Sequence, residues 1–226
     1  MDVSEFLAEL FAVAPPGFRV ELRAGPAGRS TLVGLPVRPG LNSPSLTRDG
    51  MYGVCPRDSR GLVPVATHVW ADVDLKDDAA RERFHLDAIY PDPSIAVMSG
   101  GGYHLYWLLD QPLEAPQAVR LAKLLVLVVH GDPAVCEPKR ILRLPGTVNT
   151  KYSPPRDVVV VGSNCVRYGQ RELLNAVRRA HEQPAARFRS EQFHLTRCQL
   201  PERNDDRSVA VVHSPVILCL PRSSLI

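Results

Sequence analysis

The part of this sequence that most constrains its fold is a stretch in which apolar and polar residues alternate, HVWADVDL at residues 68–75. Side chains of a β-strand point alternately to opposite faces, so the apolar side chains at the odd-numbered positions would face a core. Asp72 and Asp74 would then project together from the other face. The stretch therefore predicts a strand with one face in a core and two neighbouring carboxylates on the opposite face.

The remaining pattern mixes helices and strands in an irregular order. Residues 39–60 are dense in Pro, Gly, Ser and Asn and predict a long loop, whereas Asp2 and Glu5 have the spacing of a helix capping box. Because there is no regular β-α-β alternation, the sequence favours an α+β fold over a doubly wound sheet. Predicted strands cover residues 18–22, 31–37, 69–75, 95–98, 103–109, 141–144 and 158–161, and predicted helices cover residues 2–11, 79–87 and 170–182, with another that begins near residue 116.

Length and composition limit the class of protein. The chain has 226 residues, of which 45% are hydrophobic and 23% charged, and this predicts one compact domain or two small ones. Its longest apolar run, residues 124–129, is too short to span a bilayer, and no signal-peptide pattern is present. Five cysteines without a C-x-x-C pair favour reduced thiols over disulfides or a zinc site. We therefore expect a cytoplasmic protein with no membrane partner.

Positive charge is concentrated in one part of the chain. The formal net charge is +3, but residues 139–189 contain eleven Lys or Arg against three acids and so carry +8. A segment of this kind favours a polyanionic partner such as nucleic acid. A solvated basic helix surface would have the same composition and remains an alternative at this stage.

The aspartate pair indicates a divalent cation. Two carboxylates on one rigid strand face repel each other unless a cation lies between them, and hard oxygen ligands suit Mg²⁺ or Mn²⁺. Such a site commonly combines one or two protein carboxylates with waters and substrate phosphates. The alternative is a strand end at which Asp72 and Asp74 are only solvated.

A glycine-rich turn precedes a predicted strand in the segment SGGGYHLYW, residues 99–107. Three glycines permit close approach of the backbone to a ligand, and His104, just beyond the turn, is then available to contact a phosphate or a sugar. A hairpin turn with a structural histidine would have the same residues. The dinucleotide-binding pattern G-x-G-x-x-G is absent here.

A third segment, residues 131–151, combines acids with basic side chains around a Pro-Gly turn. Guanidinium and ammonium groups bind phosphates by bidentate and point-charge contacts respectively. A salt-bridged surface hairpin is the alternative, and the lack of nearby acids after Glu137 in the sequence argues against it. The candidate residues are the acids Asp132 and Glu137 and the polar or basic side chains Arg140, Arg143, Thr147, Asn149 and Lys151.

In this order, the aspartate pair, the segment 99–107 and the segment RLPGTVNTK at residues 143–151 resemble the three motifs of the archaeo-eukaryotic primase superfamily. The resemblance is to its primase-polymerase branch from phages, plasmids and other mobile elements, and it covers about residues 50–162. It implies a sheet like that of an RNA-recognition module, fused to an N-terminal α/β unit, with the active site in the cleft between them. It also implies that Asp72, Asp74 and a third carboxylate hold the metals and that His104 contacts the incoming nucleotide.

The third carboxylate is either Asp132 or Glu137, and we favour Asp132. The resulting hypothesis is a DNA-dependent primase and polymerase that transfers nucleotides from NTPs or dNTPs onto a single-stranded DNA template, with a separate replicative helicase as a further partner. Residues 1–182 would form the catalytic domain, with residues 1–60 as its N-terminal unit and loop and 61–182 as its motif-bearing core, while 183–226 have no assigned role. The assigned residues are Asp72, Asp74 and Asp132 for catalysis and metal binding, and Ser99, His104, Arg140, Arg143, Asn149 and Lys151 for nucleotide binding.

Two other functions are compatible with the same residues. A non-enzymatic replication initiator or single-strand DNA-binding module would keep the fold and the basic surface without catalysis. A metal-dependent nuclease would also use an acid pair with Mg²⁺. The glycine-rich histidine segment and the Arg-rich hairpin suit a triphosphate better than a nuclease requires.

Overall fold

The structure is a computed structural model that describes residues 1–38, 40, 48–77, 79–80 and 84–182. The helices with bounds inside these ranges are α1 (Val3–Leu10), α2 (Ala115–Val129) and α3 (Gln170–Glu182). The strands are β1 (Arg19–Ala24), β2 (Ser30–Gly34), β3 (Gly50–Gly53), β4 (Val65–Asp74), β5 (Ile95–Met98), β6 (Gly102–Glu114), β7 (Ile141–Arg143), β8 (Thr147–Asn149), β9 (Arg156–Ser163) and β10 (Arg167–Tyr168). No helix among the described residues is long and apolar enough to cross a membrane.

The strands form two sheets. The first is antiparallel with the order β2-β1-β3-β7, and the second has the path β10-β6-β5-β9-β8, with β4 paired to β6 as well. In the second sheet β4 pairs antiparallel with β6 over almost its whole length, so β5 and the short parallel strand β10 share the opposite edge of β6. Helices and strands thus mix in an α+β arrangement, as the sequence predicts.

One predicted loop contains a strand. Residues 39–60 were expected to lack regular structure, but β3 lies within them and pairs with β1 on one side and β7 on the other. Its four residues, of which Gly50 and Gly53 are the ends, are too few for a periodic pattern, and the partners on both sides supply the hydrogen bonds. Residues 39 and 41–47 of the predicted loop lie outside the described residues.

The prediction of a helix at residues 79–87 is tested only in part. Residues 79–80 are helical, residues 81–83 lie outside the described residues, and Leu86–Ala88 form a short 3₁₀ turn. The segment 183–226, to which the sequence assigns no role, also lies outside the described residues.

Helix α1 joins the two sheets. Its capping box is present, since the Asp2 carboxylate accepts from the Glu5 N–H and the Glu5 carboxylate accepts from the Asp2 N–H. The fully buried Phe6 ring meets Tyr52 of β3 edge to face at 5.5 Å and Tyr106 of β6 at 5.7 Å. Edge-to-face pairs contribute about 1 kcal/mol each beyond the buried area. Aromatic packing on α1 therefore holds the first sheet against the second.

Strand β4 is buried on both faces along most of its length. The alternation in the sequence predicts one polar face, yet His68 and Trp70 on that face are fully buried. Phe11, which directly follows α1, packs against His68, and the Trp70 indole N–H donates to the carbonyl of Val135 at 2.8 Å. The polar face is open only at the end of the strand, where Asp72 and Asp74 lie.

A glycine permits the pairing of β4 with β6 at this end. Gly102 lies opposite Asp74, and a Cβ atom added there would stand 1.8 Å from the carbonyl oxygen of Val73. The Val73 carbonyl belongs to the strand that pairs with β6, so it cannot move away without disturbing that pairing. A side chain at residue 102 is therefore incompatible with the register that aligns the two strands.

We expect Gly102→Ala to lower the free energy of unfolding by about 2 kcal/mol or more, because the added methyl group overpacks the strand pair. Urea denaturation followed by circular dichroism measures the change. Gly34→Ala is the matched control, since Gly34 is a strand glycine with no atom within 4 Å of an added Cβ. Equal stability of the two variants would contradict this account of the register.

Candidate active site

Asp72 and Asp74 occupy the open end of β4 and lie on the same face of the strand. The register sets Asp72 opposite His104 and Asp74 opposite Gly102 on β6. The Asp72 side chain is 16% exposed, whereas Asp74 is exposed. The first two motifs predicted from the sequence are thus brought together by one strand pair.

His104 lies beside Asp72 rather than at an open surface. Only 4% of His104 is exposed, and its Nε2 atom is 3.8 Å from Oδ1 of Asp72. Burial lowers the pKa of His104 to about 3, with the positive charges of Arg143 and Arg140 acting in the same direction, so the imidazole is neutral. Its buried Nδ1 atom has no hydrogen-bond partner among the described residues. The expected contact between His104 and a nucleotide stays a prediction.

Asp132 comes to the outer edge of β4 through its backbone. Helix α2 ends at His130 in a left-handed conformation, and Gly131 then passes so close to β4 that an added Cβ would stand 2.5 Å from the Asp72 carbonyl oxygen. The Asp132 N–H donates to that same oxygen at 2.8 Å. The Asp132 carboxylate accepts from the Ala134 N–H at 2.8 Å and caps the 3₁₀ turn that follows. Of the two candidates for a third carboxylate, Asp132 is hydrogen-bonded to β4, whereas Glu137 lies on the exposed part of the same loop.

The electrostatics of the site centre on Asp72. Burial raises the pKa of Asp72 to about 7, and the negative charges of Asp74 and Asp132 act in the same direction. Arg140 and Arg143 oppose the shift. Three carboxylates and two guanidinium groups that the sequence singled out therefore influence one another in the folded chain.

Whether these residues suit a divalent cation can be judged from the carboxylates themselves. Among the described residues no group of three His, Cys, Asp or Glu side chains is already arranged to hold a metal ion. Asp72 and Asp74 nevertheless place two like charges on one strand face, and the pKa of Asp72 is raised. Both features are expected of a site that lacks positive charge. Two carboxylates with waters and substrate phosphates form a common Mg²⁺ environment, so the residues fit such an ion.

The segment that contains Arg-Leu-Pro-Gly connects the two sheets and is not the hairpin expected from the sequence, because its two strands pair with other strands and not with each other. Its first strand, β7, pairs with β3 in the first sheet, and its second strand, β8, pairs with β9 in the second. The Arg143 guanidinium donates to the Asp49 carboxylate at 2.7 Å, and the hydroxyl and N–H of Thr150 bond to the same carboxylate. These partners hold the pKa of Asp49 below its usual value even though burial acts to raise it.

Asp49 changes how the segment that contains Arg-Leu-Pro-Gly is interpreted. In the sequence the segment lacks nearby acids, but the fold brings an acid to Arg143 from 94 residues earlier. Arg143 is therefore partly neutralised and fixed in position. Arg140, by contrast, has no carboxylate within ion-pair distance among the described residues.

Two of the predicted nucleotide contacts support the glycine-rich turn. Asn149 is 3% exposed, and its side-chain amide donates to the Ser99 carbonyl at 2.8 Å. The Ser99 hydroxyl donates to the Gly102 carbonyl at 3.2 Å within the turn itself. Both side chains are buried, so the structure gives them a role in shaping the turn beside Asp74.

Lys151 lines an open polar cavity next to the aspartates. The cavity has a volume of about 530 Å³, which is within the usual range for ligand pockets. Sequence analysis did not single out two other lining residues, Tyr152, which directly follows Lys151, and Arg156, which lies five residues after it. The only sequence signal for Arg156 was its place in the basic segment. The lining residues are Asp74, Leu75, Lys76, Asp77, Gly101, Lys151, Tyr152 and Arg156.

Comparison with solved structures relates this fold to domains of a primase-polymerase and of a primase. The AEP domain of the primase-polymerase of cyanophage S-2L superposes with a TM-score of 0.58 at 16% identity, over 77% of this chain and 96% of that one. Primase RepB' superposes with a TM-score of 0.53 at 16% identity, over 81% of this chain but only 65% of that one. The RepB' catalytic domain in complex with initiator DNA superposes with a TM-score of 0.51 at 18% identity, over 81% of this chain and 97% of that one. At such identities the likeness establishes the fold alone.

Sequence comparison then identifies the family. The family model described as the RepB DNA-primase N-terminal domain matches residues 55–179. This is more than half of the chain, so the protein belongs to this family. No curated protein matches the chain. The family assignment agrees with the resemblance to the archaeo-eukaryotic primase superfamily found in the sequence.

We expect Asp72→Asn to stabilise the protein in the absence of metal, and increasingly so from pH 5 to pH 8. The pKa of this carboxyl rises from 3.8 to about 7 on folding, so the folded state binds more protons than the unfolded state between these values. Stability from this group therefore falls as the pH rises through that window, by up to about 1.4 kcal/mol for each pH unit. Because asparagine carries no charge, Asp72→Asn removes this loss of stability at higher pH.

Thermal denaturation of both proteins across the pH range measures the difference. Asp157→Asn, at an exposed position of β9, is the matched control and should show no such growth with pH. A difference between Asp72→Asn and the unmodified protein that stays constant from pH 5 to pH 8 would exclude the raised pKa.

Proposed function

We propose that the protein is a DNA primase-polymerase that copies single-stranded DNA by nucleotidyl transfer from NTPs or dNTPs. The observation that carries the proposal is the open end of β4, where Asp72 and Asp74 stand beside Asp132 and next to a cavity whose lining includes Lys151 and Arg156. Membership of the RepB primase family and the fold of primase-polymerase catalytic domains support it. A replication role in a phage, plasmid or other mobile element is the setting that this family suggests.

In the proposed reaction a 3′-hydroxyl oxygen bonds to the α-phosphorus of the nucleotide, while the bond from that phosphorus to the bridging oxygen of pyrophosphate breaks. Asp72, Asp74 and Asp132 would hold Mg²⁺ or Mn²⁺, which when bound neutralises phosphate charge and the developing charge on the oxygens. Asp72 is more basic than an ordinary aspartate, which strengthens it as a ligand and allows it to hold a proton until substrate and ion bind. The neutral His104 orients this carboxylate or contacts the nucleotide.

The basic residues divide into two groups in this proposal. Arg140 and Arg143 lie near the Asp72 and His104 pair and compensate charge there, with Arg143 fixed by Asp49. Lys151 faces the cavity and is a direct candidate for phosphate binding. Ser99 and Asn149 keep the glycine-rich turn in shape, so their effect on the nucleotide is through the backbone.

The proposed catalytic domain covers residues 1–182, with the active site between the N-terminal unit and the sheet that resembles an RNA-recognition module. A RepB' catalytic domain has been crystallised with initiator DNA, which supports DNA as a partner here, and we propose that this DNA is single-stranded. A separate replicative helicase is a further proposed partner.

A synthesis assay tests the proposal. The protein is incubated with single-stranded DNA, labelled NTPs or dNTPs, and Mg²⁺ or Mn²⁺, with and without a primer. We expect metal-dependent products, and their loss by at least about a hundredfold in Asp72→Ala and in Asp74→Ala, because each variant removes a ligand from the site of charge neutralisation.

Asp157→Ala is the matched control and should keep full activity. DNA binding without synthesis would instead favour the initiator or binding-module alternative, and shortening of the DNA would favour a nuclease. Extension by either aspartate variant at the rate of the unmodified protein would refute the assigned roles.

We further expect Lys151→Ala to weaken nucleotide binding about tenfold, because one charge-assisted contact to phosphate is lost. The apparent KM for the nucleotide measures this, with Lys139→Ala as a control at an exposed position outside the cavity. An unchanged KM in Lys151→Ala would remove this residue from the binding site.

A further inference from the structure

Arg156 is held in a fixed position on the wall of the cavity beside Asp74. Its Nη1 atom donates to the Gly100 carbonyl at 2.6 Å, and its guanidinium carbon lies 4.0 Å from the centre of the Tyr152 ring. Gly100 belongs to the glycine-rich turn, whereas Arg156 begins β9, so one side chain joins two elements of the site. A guanidinium held by a ring face and a carbonyl has already lost much of its rotational freedom before a ligand arrives.

Most of the hydrogen-bonding capacity of Arg156 remains available. A guanidinium has five N–H donors, and among the described residues only the Gly100 carbonyl accepts from this side chain. No carboxylate of the described residues lies within ion-pair distance of Arg156 or of Lys151, although other arginines of the chain, such as Arg143 and Arg57, are paired with acids. The lining of the cavity contains three cations, Lys76, Lys151 and Arg156, and none of them forms an ion pair with a described residue.

Tyr152 is positioned by Gly101. A Cβ atom added at Gly101 would stand 2.3 Å from the Tyr152 hydroxyl oxygen, so the absence of a side chain there lets the ring lie against the turn. In this position the ring supports the guanidinium. The middle glycine of the turn therefore has a role in the placement of Arg156 that the sequence alone does not indicate.

We propose that Arg156, together with Lys151, binds the polyphosphate of the incoming nucleotide in this cavity, and that Tyr152 is a positioning residue that holds Arg156. The inference rests on the proposed function and assigns it two residues that sequence analysis did not include. Lys151 and Arg156 form no ion pair and lie next to the exposed Asp74. They therefore suit a ligand that carries several negative charges and whose reacting end lies at the proposed site of nucleotidyl transfer. The cavity volume of about 530 Å³ accommodates such a ligand.

The first test is equilibrium binding of inorganic tripolyphosphate and of a dNTP, measured by calorimetry without added metal. We expect Arg156→Ala to weaken the binding of both ligands about tenfold or more and Arg156→Lys to weaken it less, because lysine keeps the charge but loses the planar fork. Arg178→Ala, at an exposed position of α3, is the matched control and should bind both ligands normally. Thermal denaturation of each variant reports whether the fold is intact.

The second test separates positioning by Tyr152 from direct contact. Tyr152→Phe keeps the ring and should bind within about twofold of the unmodified protein, whereas Tyr152→Leu should bind about threefold more weakly, since the support of the guanidinium is lost. In an Arg156→Ala background, Tyr152→Leu should cause no further loss. Additive effects of the two changes would show that Tyr152 contacts the ligand independently and would overturn its role as a positioning residue.

These outcomes also separate this inference from the proposed function. A protein that binds tripolyphosphate through Arg156 but makes no DNA would refute the polymerase and keep the phosphate site. A protein that makes DNA while Arg156→Ala binds the nucleotide normally would refute the site and keep the polymerase. Weaker DNA binding in Arg156→Ala with unchanged tripolyphosphate binding would assign Arg156 to the DNA backbone, against the proposal.

Discussion

The antiparallel pairing of β4 with β6 is the constraint on which the rest of the site depends. It sets Asp72 opposite His104 and brings the glycine-rich turn to the end of the strand that carries Asp74. A shift by one residue would turn every side chain of β4 to the other face, so the aspartates would enter the core and its apolar residues would enter the site. The register is defined by Gly102, which leaves room for the Val73 carbonyl, and by large buried side chains such as Trp70 and Trp107.

The two sheets contribute to the site as one unit because several contacts connect them. Phe6 touches aromatic rings of both sheets, and the segment that contains Arg143 has one strand in each. Asp49, just before β3, binds both Arg143, the last residue of β7, and Thr150, which follows β8. Movement between the sheets would have to break a buried aromatic cluster and a charged network together. Such coupling suits a site in which Asp72 and Asp74 come from one sheet and Arg143 from the connection between the two.

Local patterns in the sequence predicted much of this fold, and they failed where long-range contacts decide the outcome. The alternation at residues 68–75 predicted β4 and the shared face of its aspartates, and the basic segment at residues 170–182 was predicted as the helix that α3 forms. Strand β3 was missed because its pairing partners lie far away in the chain. The acid partner of Arg143 and the position of Arg156 above Tyr152 could not be predicted, because no local pattern encodes a contact between distant loops or the stacking of one side chain on another.

The hydrogen bond from Asp132 to the Asp72 carbonyl has a consequence for association between molecules. An unpaired strand edge presents free N–H and C=O groups to which the edge of another molecule can bind. The outer side of β4 would present such groups beside the aspartates, but the chain that follows α2 returns along it and occupies the Asp72 carbonyl. The segment that carries Asp132 thereby also shields this edge, so the charged end of the strand is not a template for adding another strand.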